Sequence, residues 1–187
     1  MDAWRAFPWS RTARPGEKFS ASFVPASGGT GRFDLPGERV LYLAETPEHA
    51  IGEKIARFRG TRLELRHLRE YGLPLALAGV RIAEPARKSL ADLCDPKALR
   101  SLGIPPDRVA ARDREATQAI AALVAETGAS GLRWWSAFFG EWHTLAIFVD
   151  RLPKDALGFG KPRAIEPGDP ALAAAMAALG MRGIACR

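Results

Sequence analysis

The chain has little of what staples or chelates. Among 187 residues there are two cysteines, Cys94 and Cys186, and three histidines, His49, His67 and His143. The cysteines form no C-x-x-C pair and match no zinc spacing, so they read as reduced thiols rather than as a disulfide. No two histidines stand at i, i+4 and no H-E-x-x-H occurs, so no metal site is expected. The N-terminal stretch has no apolar core of the kind a secretory signal carries. No run approaches about 18 apolar residues, so no membrane-spanning helix is expected, and the expected location is the cytoplasm. The net charge is +6 with pI near 9.8. Yet no block of about five or six basic residues occurs, and no basic–aromatic repeat, so direct nucleic-acid binding is not expected. Arginine dominates the positive charge and accompanies much Ala, Gly and Pro, which GC-rich coding produces without function.

What is present fits one domain. A hydrophobic share of 47% and a charged share of 26% are ordinary for a globular chain. The length is enough for a sizeable core. "AWRAF" (Ala3–Phe7) reads as a strand stopped by Pro8. A long loop follows, through Pro15, Gly16, Pro25 and "SGGTG", and long ordered loops are usually functional. "RVLYLAE" (Arg39–Glu45) reads as a buried strand. "TPEHAIGEKIARF" reads as a helix with Thr46 as N-cap, Pro47 at the first helical position and His49 where a capping box calls for Glu. "LPLALAGVRIAEPA" is a second long strand. "LADLCDPKALRSLGIPP" is a short helix and turn. "DREATQAIAALVAETG" is the clearest helix, closed by Gly128. "SGLRWWSAF" and "TLAIFVDR" read as strands joined by "FGEWH". "PALAAAMAALG" is a last helix, and "RGIACR" a final strand. Strands in mixed order with few helices give an α+β class: one domain over 1–187, a mixed sheet with flanking helices.

Three places carry candidate chemistry. "SGGTGR" is glycine-rich, but a strand follows it and the P-loop lysine is missing, so it is no Walker motif. Gly28, Gly29 and Gly31 still allow backbone N–H groups to approach an anion, with Arg32 adding a forked donor pair. The alternative is a plain flexible turn. Tyr42 lies in an apolar strand, where a hydroxyl needs a partner. Glu53, on the next helix, sits at the edge of its apolar stripe; the bland reading is a solvated carboxylate. Ser136 ends a strand with Glu141 and His143 close behind, which leaves a Ser136/His143 hydrolase open. The context "RWWSAFF" lacks the glycines of a nucleophile elbow.

Taken in order, "WRAF", "GGTGRFDLPG", "VLYLAETPEHAIGE", "TQAIAALVAETGASGLRWWSAF" and "TLAIFVDR" resemble the RES domain, the toxin half of RES–Xre toxin–antitoxin pairs. The resemblance runs from Trp4 to Arg151. The Y-L-A-E-T-P-E-x-A-x-x-E string and the late serine are its specific parts. Asp34 stands where the family pattern has Asn, and Trp135 where it often has Pro. By motif, the resemblance implies Arg32, Glu53 and Ser136 as catalytic residues, with Tyr42, Gly29, Gly31 and Phe33 against the substrate. It further implies a fold similar to ADP-ribosyltransferase toxins. The implied activity is degradation of NAD at the nicotinamide–ribose bond, as a glycohydrolase with water as acceptor or a phosphorylase with inorganic phosphate. NAD is then a substrate, no cofactor is needed, and the implied partner is an Xre-type helix-turn-helix antitoxin. From a different class, a catalytically silent module that binds a nucleotide or a protein stays open.

Overall fold

The computed structural model describes residues 2–111, 113–136 and 138–185. Cys186, the second thiol, lies outside them. The elements in chain order are β1 (Asp2–Pro8), β2 (Val40–Ala44), α1 (Pro47–Ile55), β3 (Arg62–Glu64), β4 (Arg69–Glu70), β5 (Leu73–Ile82), α2 (Glu84–Lys88), β6 (Leu90–Asp92), α3 (Pro96–Ser101), α4 (Pro106–Ala110), α5 (Arg114–Glu126), β7 (Gly131–Trp135), β8 (His143–Phe148), β9 (Leu157–Phe159), β10 (Arg163–Ala164), α6 (Pro170–Ala178) and β11 (Arg182–Ala185). The fold is α+β. The main sheet runs β10-β5-β1-β2-β8-β7-β6, and β4 and β9 also pair with β5. It is mixed: β6 joins β7 in parallel, while the other pairings are antiparallel. The final strand β11 does not join this sheet but pairs in parallel with β3.

The alternation of β2 and β8 sorts the core into two faces, as strand geometry requires. Leu41, Leu43, Leu145 and Ile147 point to one side, where they pack with Val80 and Ile82. Val40, Ala146 and Phe148 point to the other side, against α5 through Ile120, Ala121 and Val124. Ala44 shares that second face but meets a separate cluster, built from α1 (Ala50, Ile51, Ile55) and α6 (Leu172, Ala175, Met176). The helical face therefore carries two cores side by side. Each fully buried Leu or Ile contributes about 1.5–3 kcal/mol, so each core helps to anchor its helices on the shared sheet.

One pairing is almost missing. β1 matches β5 over its whole length, Asp2↔Arg81 to Pro8↔Leu75, but meets β2 only at Trp4↔Ala44. Beyond that pair the strands part, and the long loop enters. Arg5 Nη1 donates to the carbonyls of Ala21 (2.6 Å) and Phe23 (2.8 Å), and Ala26 bridges Arg39 beside the start of β2.

The short pieces β3, β4, β6, β9 and β10 are absent from the sequence reading. Each has only two or three residues, too short for periodicity to register. Pro85 falls inside α2 rather than in a strand end, because β5 already stops at Ile82.

Helix α1 starts as its sequence dictates. Thr46 is extended (φ −131°, ψ 155°), and its Oγ1 accepts from His49 N at 3.3 Å. Thr46→Ala is therefore expected to lower stability by about 1 kcal/mol, with Thr46→Ser close to wild type, in urea unfolding followed by circular dichroism.

Candidate active site

Where β1 and β2 part, a cleft of about 1020 Å³ opens on the helical face. β1 supplies Trp4, Arg5 and Ala6, β2 supplies Tyr42 and Ala44, and α1 supplies Glu53 and Lys54. Across from them stand Thr30, Gly31 and Arg32 of the long loop, Arg114 at the start of α5, and Trp134, Ser136 and Phe138. The cleft thus lies between the two cores that flank it. Its charge is lopsided. Among the described lining residues, Glu53 is the sole carboxylate, against Arg5, Arg32, Lys54, Arg59 and Arg114.

Glu53 is held by one oxygen. Ser136 Oγ donates to Oε1 at 2.8 Å, and His49 Nε2 lies 3.0 Å from the same atom. Ser136 is itself fixed, since its backbone N–H donates to Trp142 O (2.6 Å) and its hydroxyl accepts from Phe138 N (3.2 Å). Among the described residues no donor reaches Oε2, and the Glu53 side chain keeps 37% exposure. One carboxylate oxygen is occupied by the protein and the other faces the cleft.

The glycine loop is locked by Tyr42 and Asp34. The Tyr42 hydroxyl donates to Asp34 Oδ1 (2.8 Å) and accepts from Phe33 N (2.9 Å). Asp34 Oδ2 accepts from Gly31 N at 2.8 Å. Burial, and then the bond to Asp34, push the Tyr42 phenol above its ordinary range, so it stays a donor at neutral pH. Gly31 has no room for a side chain: a Cβ there would overlap Asp34 Oδ1 and the Tyr42 hydroxyl. From the other side, Gln118 Nε2 donates to the carbonyls of Gly29 and Gly31, both at 2.9 Å.

Four arginines line the cleft, Arg5, Arg32, Arg59 and Arg114, and none has a carboxylate partner among the described residues; two of them are held by backbone carbonyls. Arg5 gives Nη1 to two loop carbonyls; burial pulls its pKa down to about 10, which still leaves it charged at neutral pH. Arg32 gives Nη2 to Val109 O (2.8 Å) and Ala111 O (2.9 Å). Burial lowers the Arg32 pKa while Glu53 and Tyr42 counter it, and its Nε is buried with no partner. A partly buried cation with donors to spare is what an anion binds.

The structure brings Arg32, Tyr42, Glu53, Ser136 and Gly31 to this one cleft. Phe33 is a correction: its ring is fully buried, 4.4 Å from Trp134, so it packs the core beneath the loop and does not meet the cleft. Gly29 has a left-handed φ of +70° and is tied by its carbonyl to Gln118, so it shapes the loop without lining the cleft. The Ser136/His143 pair does not form. Ser136 donates to Glu53, while His143 Nδ1 faces Glu45 Oε2 at 3.5 Å beside the Arg133–Glu45 ion pair. Glu141 is exposed and outside the cleft. Sequence reasoning passed over Arg5 and His49. Arg5 was visible only as one charge inside an apolar strand, and His49 only as an odd capping residue. Cys94 is not among the residues that line the cleft, and burial pushes its thiol up to about 12.

The lock makes a testable statement. Asp34→Ala leaves the Tyr42 hydroxyl and the Gly31 N–H without their acceptor. The expected cost is about 1–3 kcal/mol in urea unfolding. Tyr42→Phe, which removes the donor but leaves Asp34 accepting from Gly31, is expected to cost less.

The RES domain matches residues 2–162 of this chain. That span runs from β1 through β9 and contains every residue that lines the cleft. No curated protein matches the chain. Among solved structures, a chain from the crystal structure of the M. tuberculosis MbcT–MbcA toxin–antitoxin complex is similar with a TM-score of 0.60 at 16% identity, covering 96% of this chain and 89% of that one. At that identity the likeness speaks for a shared fold. With the match covering most of its length and all of its cleft, the chain belongs to the RES domain family.

Proposed function

We propose that this protein is a toxin of a toxin–antitoxin pair that consumes NAD by cleaving the nicotinamide–ribose bond. The observation that carries the reading is the lone carboxylate, Glu53, set among five cations in a cleft at the large end of ligand-pocket sizes. A dinucleotide offers the complementary pattern. Its pyrophosphate is an anion for arginines, and its ribose becomes a cation as the glycosidic bond breaks. Family membership and the fold shared with a chain of a toxin–antitoxin complex support the toxin part.

In the reaction, the bond between the anomeric carbon and the nicotinamide nitrogen breaks. Its electron pair leaves with nicotinamide, which departs neutral. An oxygen of water or of inorganic phosphate bonds to the same carbon; with water, one proton passes to solvent. Glu53 Oε2 stabilises the positive charge that develops on the ribose. Ser136 orients Glu53 through Oε1, and no covalent nucleophile is needed. Arg32 and Arg5 hold the pyrophosphate, with the Gly31 segment close beside it. Tyr42 acts through the loop it locks rather than by proton transfer, because its phenol stays protonated. A site of this kind gains its rate from fixed electrostatics, so placement decides activity.

The partner in this reading is an antitoxin of the Xre helix-turn-helix type. Expressing the chain alone in a bacterial host is expected to arrest growth with a fall in cellular NAD. Normal growth with NAD unchanged would leave a binding module as the better reading.

Glu53→Gln keeps the shape and both Oε1 acceptor bonds but removes the charge. Nicotinamide release by the purified protein is expected to lose roughly 10²–10³ in kcat with KM little changed, since the charge matters most in the transition state. Its melting midpoint is expected to stay near that of wild type. Full activity would take Glu53 out of the reaction.

Arg32→Lys tests the anion grip. A lysine cannot satisfy the Val109 and Ala111 carbonyls and still present a fork to the ligand. Losing a charge-assisted hydrogen bond costs about 1.5–3 kcal/mol, so kcat/KM is expected to fall by roughly 10- to 100-fold. A Lys variant within about threefold of wild type would remove Arg32 from the ligand, because threefold is well under 1 kcal/mol.

A further inference from the structure

We infer that His49 is a positioning residue which fixes Glu53 through a neutral ring protonated on Nε2. The inference rests on the reading of Glu53 as the carboxylate that meets the sugar. His49 and Glu53 stand at i, i+4 on α1, the spacing at which helical side chains meet. His49 is fully buried, which is unusual for a residue in the first turn of a helix. The capping position it occupies calls for a side chain that turns back to the N-cap. Its side chain instead turns inward, and only its backbone N–H serves Thr46.

Everything around the ring fixes its plane and its edge. Trp142 stacks on it at 4.9 Å and 22°. The indole reaches that position because Gly52 has no side chain, since a Cβ there would lie 2.5 Å from the Trp142 ring. Thr144 Oγ1 sits 3.3 Å from Nε2, on the neighbouring strand β8. The edge left pointing at Glu53 Oε1 is Nε2, at 3.0 Å. A carboxylate only accepts, so this nitrogen must carry the proton. Nδ1 lies buried with no partner among the described residues. Protonating it would bury an unpaired N–H donor, which costs more than leaving a bare lone pair. The neutral Nε2–H tautomer is the one the site accommodates.

The consequence is division of labour on one carboxylate. Ser136 donates to Oε1 from the end of β7 and His49 from the buried side of Glu53's own helix, so Glu53 cannot rotate to another rotamer without breaking one of them. Oε2 is left aimed at the ligand. A serine alone would fix one bond of a long, half-exposed side chain, and the second donor restricts it from below.

The test combines kinetics with a spectroscopic signature. His49→Ala is expected to lower kcat for nicotinamide release from NAD by about 10- to 100-fold, the scale of one hydrogen bond to a charged group, with KM little changed. His49→Gln, whose amide nitrogen can stand where Nε2 stands, is expected to recover to within about threefold of wild type. Wild-type kcat in the Ala variant would overturn the proposal. So would equal loss in both variants at equal thermal midpoints, because packing alone would then be the role. Independently of any substrate, a nitrogen-resolved NMR spectrum of the wild-type protein at neutral pH, assigned by the signal lost in His49→Gln, is expected to show a protonated Nε2 and a bare Nδ1. A protonated Nδ1, alone or with Nε2, would overturn it. If wild-type protein releases no nicotinamide, the NAD reading fails while the tautomer still decides the place of His49.

Discussion

Strands β1 and β2 share a single residue pair, Trp4 with Ala44, and the site depends on their parting. Had the pairing continued, Tyr42 and Ala6 would face each other across a closed ladder, with no space for a ligand. The parting is tolerable because each strand is secured elsewhere: β1 by its full-length ladder with β5, and β2 by five pairs with β8. It also exposes strand edges that need partners. The long loop meets part of that need at Ala26↔Arg39, and the Arg5 guanidinium in turn satisfies two carbonyls of the loop. An arginine is suited to this place, since one nitrogen can bind two carbonyls while the rest of the fork stays available.

The two separate cores on the helical face follow from the same feature. α1 and α6 are anchored on one side of the cleft and α5 on the other. Each catalytic candidate then hangs from an element with its own apolar footing: Glu53 from α1, Ser136 from the end of β7, Arg32 from the loop that α5 pins through Gln118. The hydrogen bond from Ser136 to Glu53 links the end of β7 to α1, and Ser136 is further tied to Trp142, which packs in the α1 core.

Local rules in the sequence carried much of this. Thr46 and Pro47 define the start of α1, alternation defines β2 and β8, and Gly128 closes α5, all from neighbours in the chain. The resemblance in the Tyr42–Glu53 string pointed to residues that do line one cleft. What stayed illegible was set by distant partners. Phe33 follows a glycine loop and an arginine, and nothing nearby says that its ring turns down onto Trp134 rather than out to a ligand. Arg5 is unremarked in its strand until Ala21 and Phe23 fold over it. The parallel β3–β11 pair joins residues from opposite ends of the chain, and strands this short have no pattern of their own.

Asp34 closes the loop by accepting from two donors. The resemblance in sequence implies asparagine there, whose amide offers an acceptor and a donor. Asp34 offers two acceptors, and this loop presents two donors, the Gly31 N–H and the Tyr42 hydroxyl. The tyrosine can take that role because the Phe33 N–H supplies its oxygen with a donor from the other side. A hydroxyl is the one group in this lock that both gives and receives, so reversing its direction lets either acid or amide close the loop. The carboxylate version adds a negative charge near Arg32, yet Asp34 is buried behind Gly31 and is not part of the main cleft lining. Glu53 remains the single carboxylate among the described lining residues, and an amide at position 34 would close the loop by exchanging one set of hydrogen bonds for another.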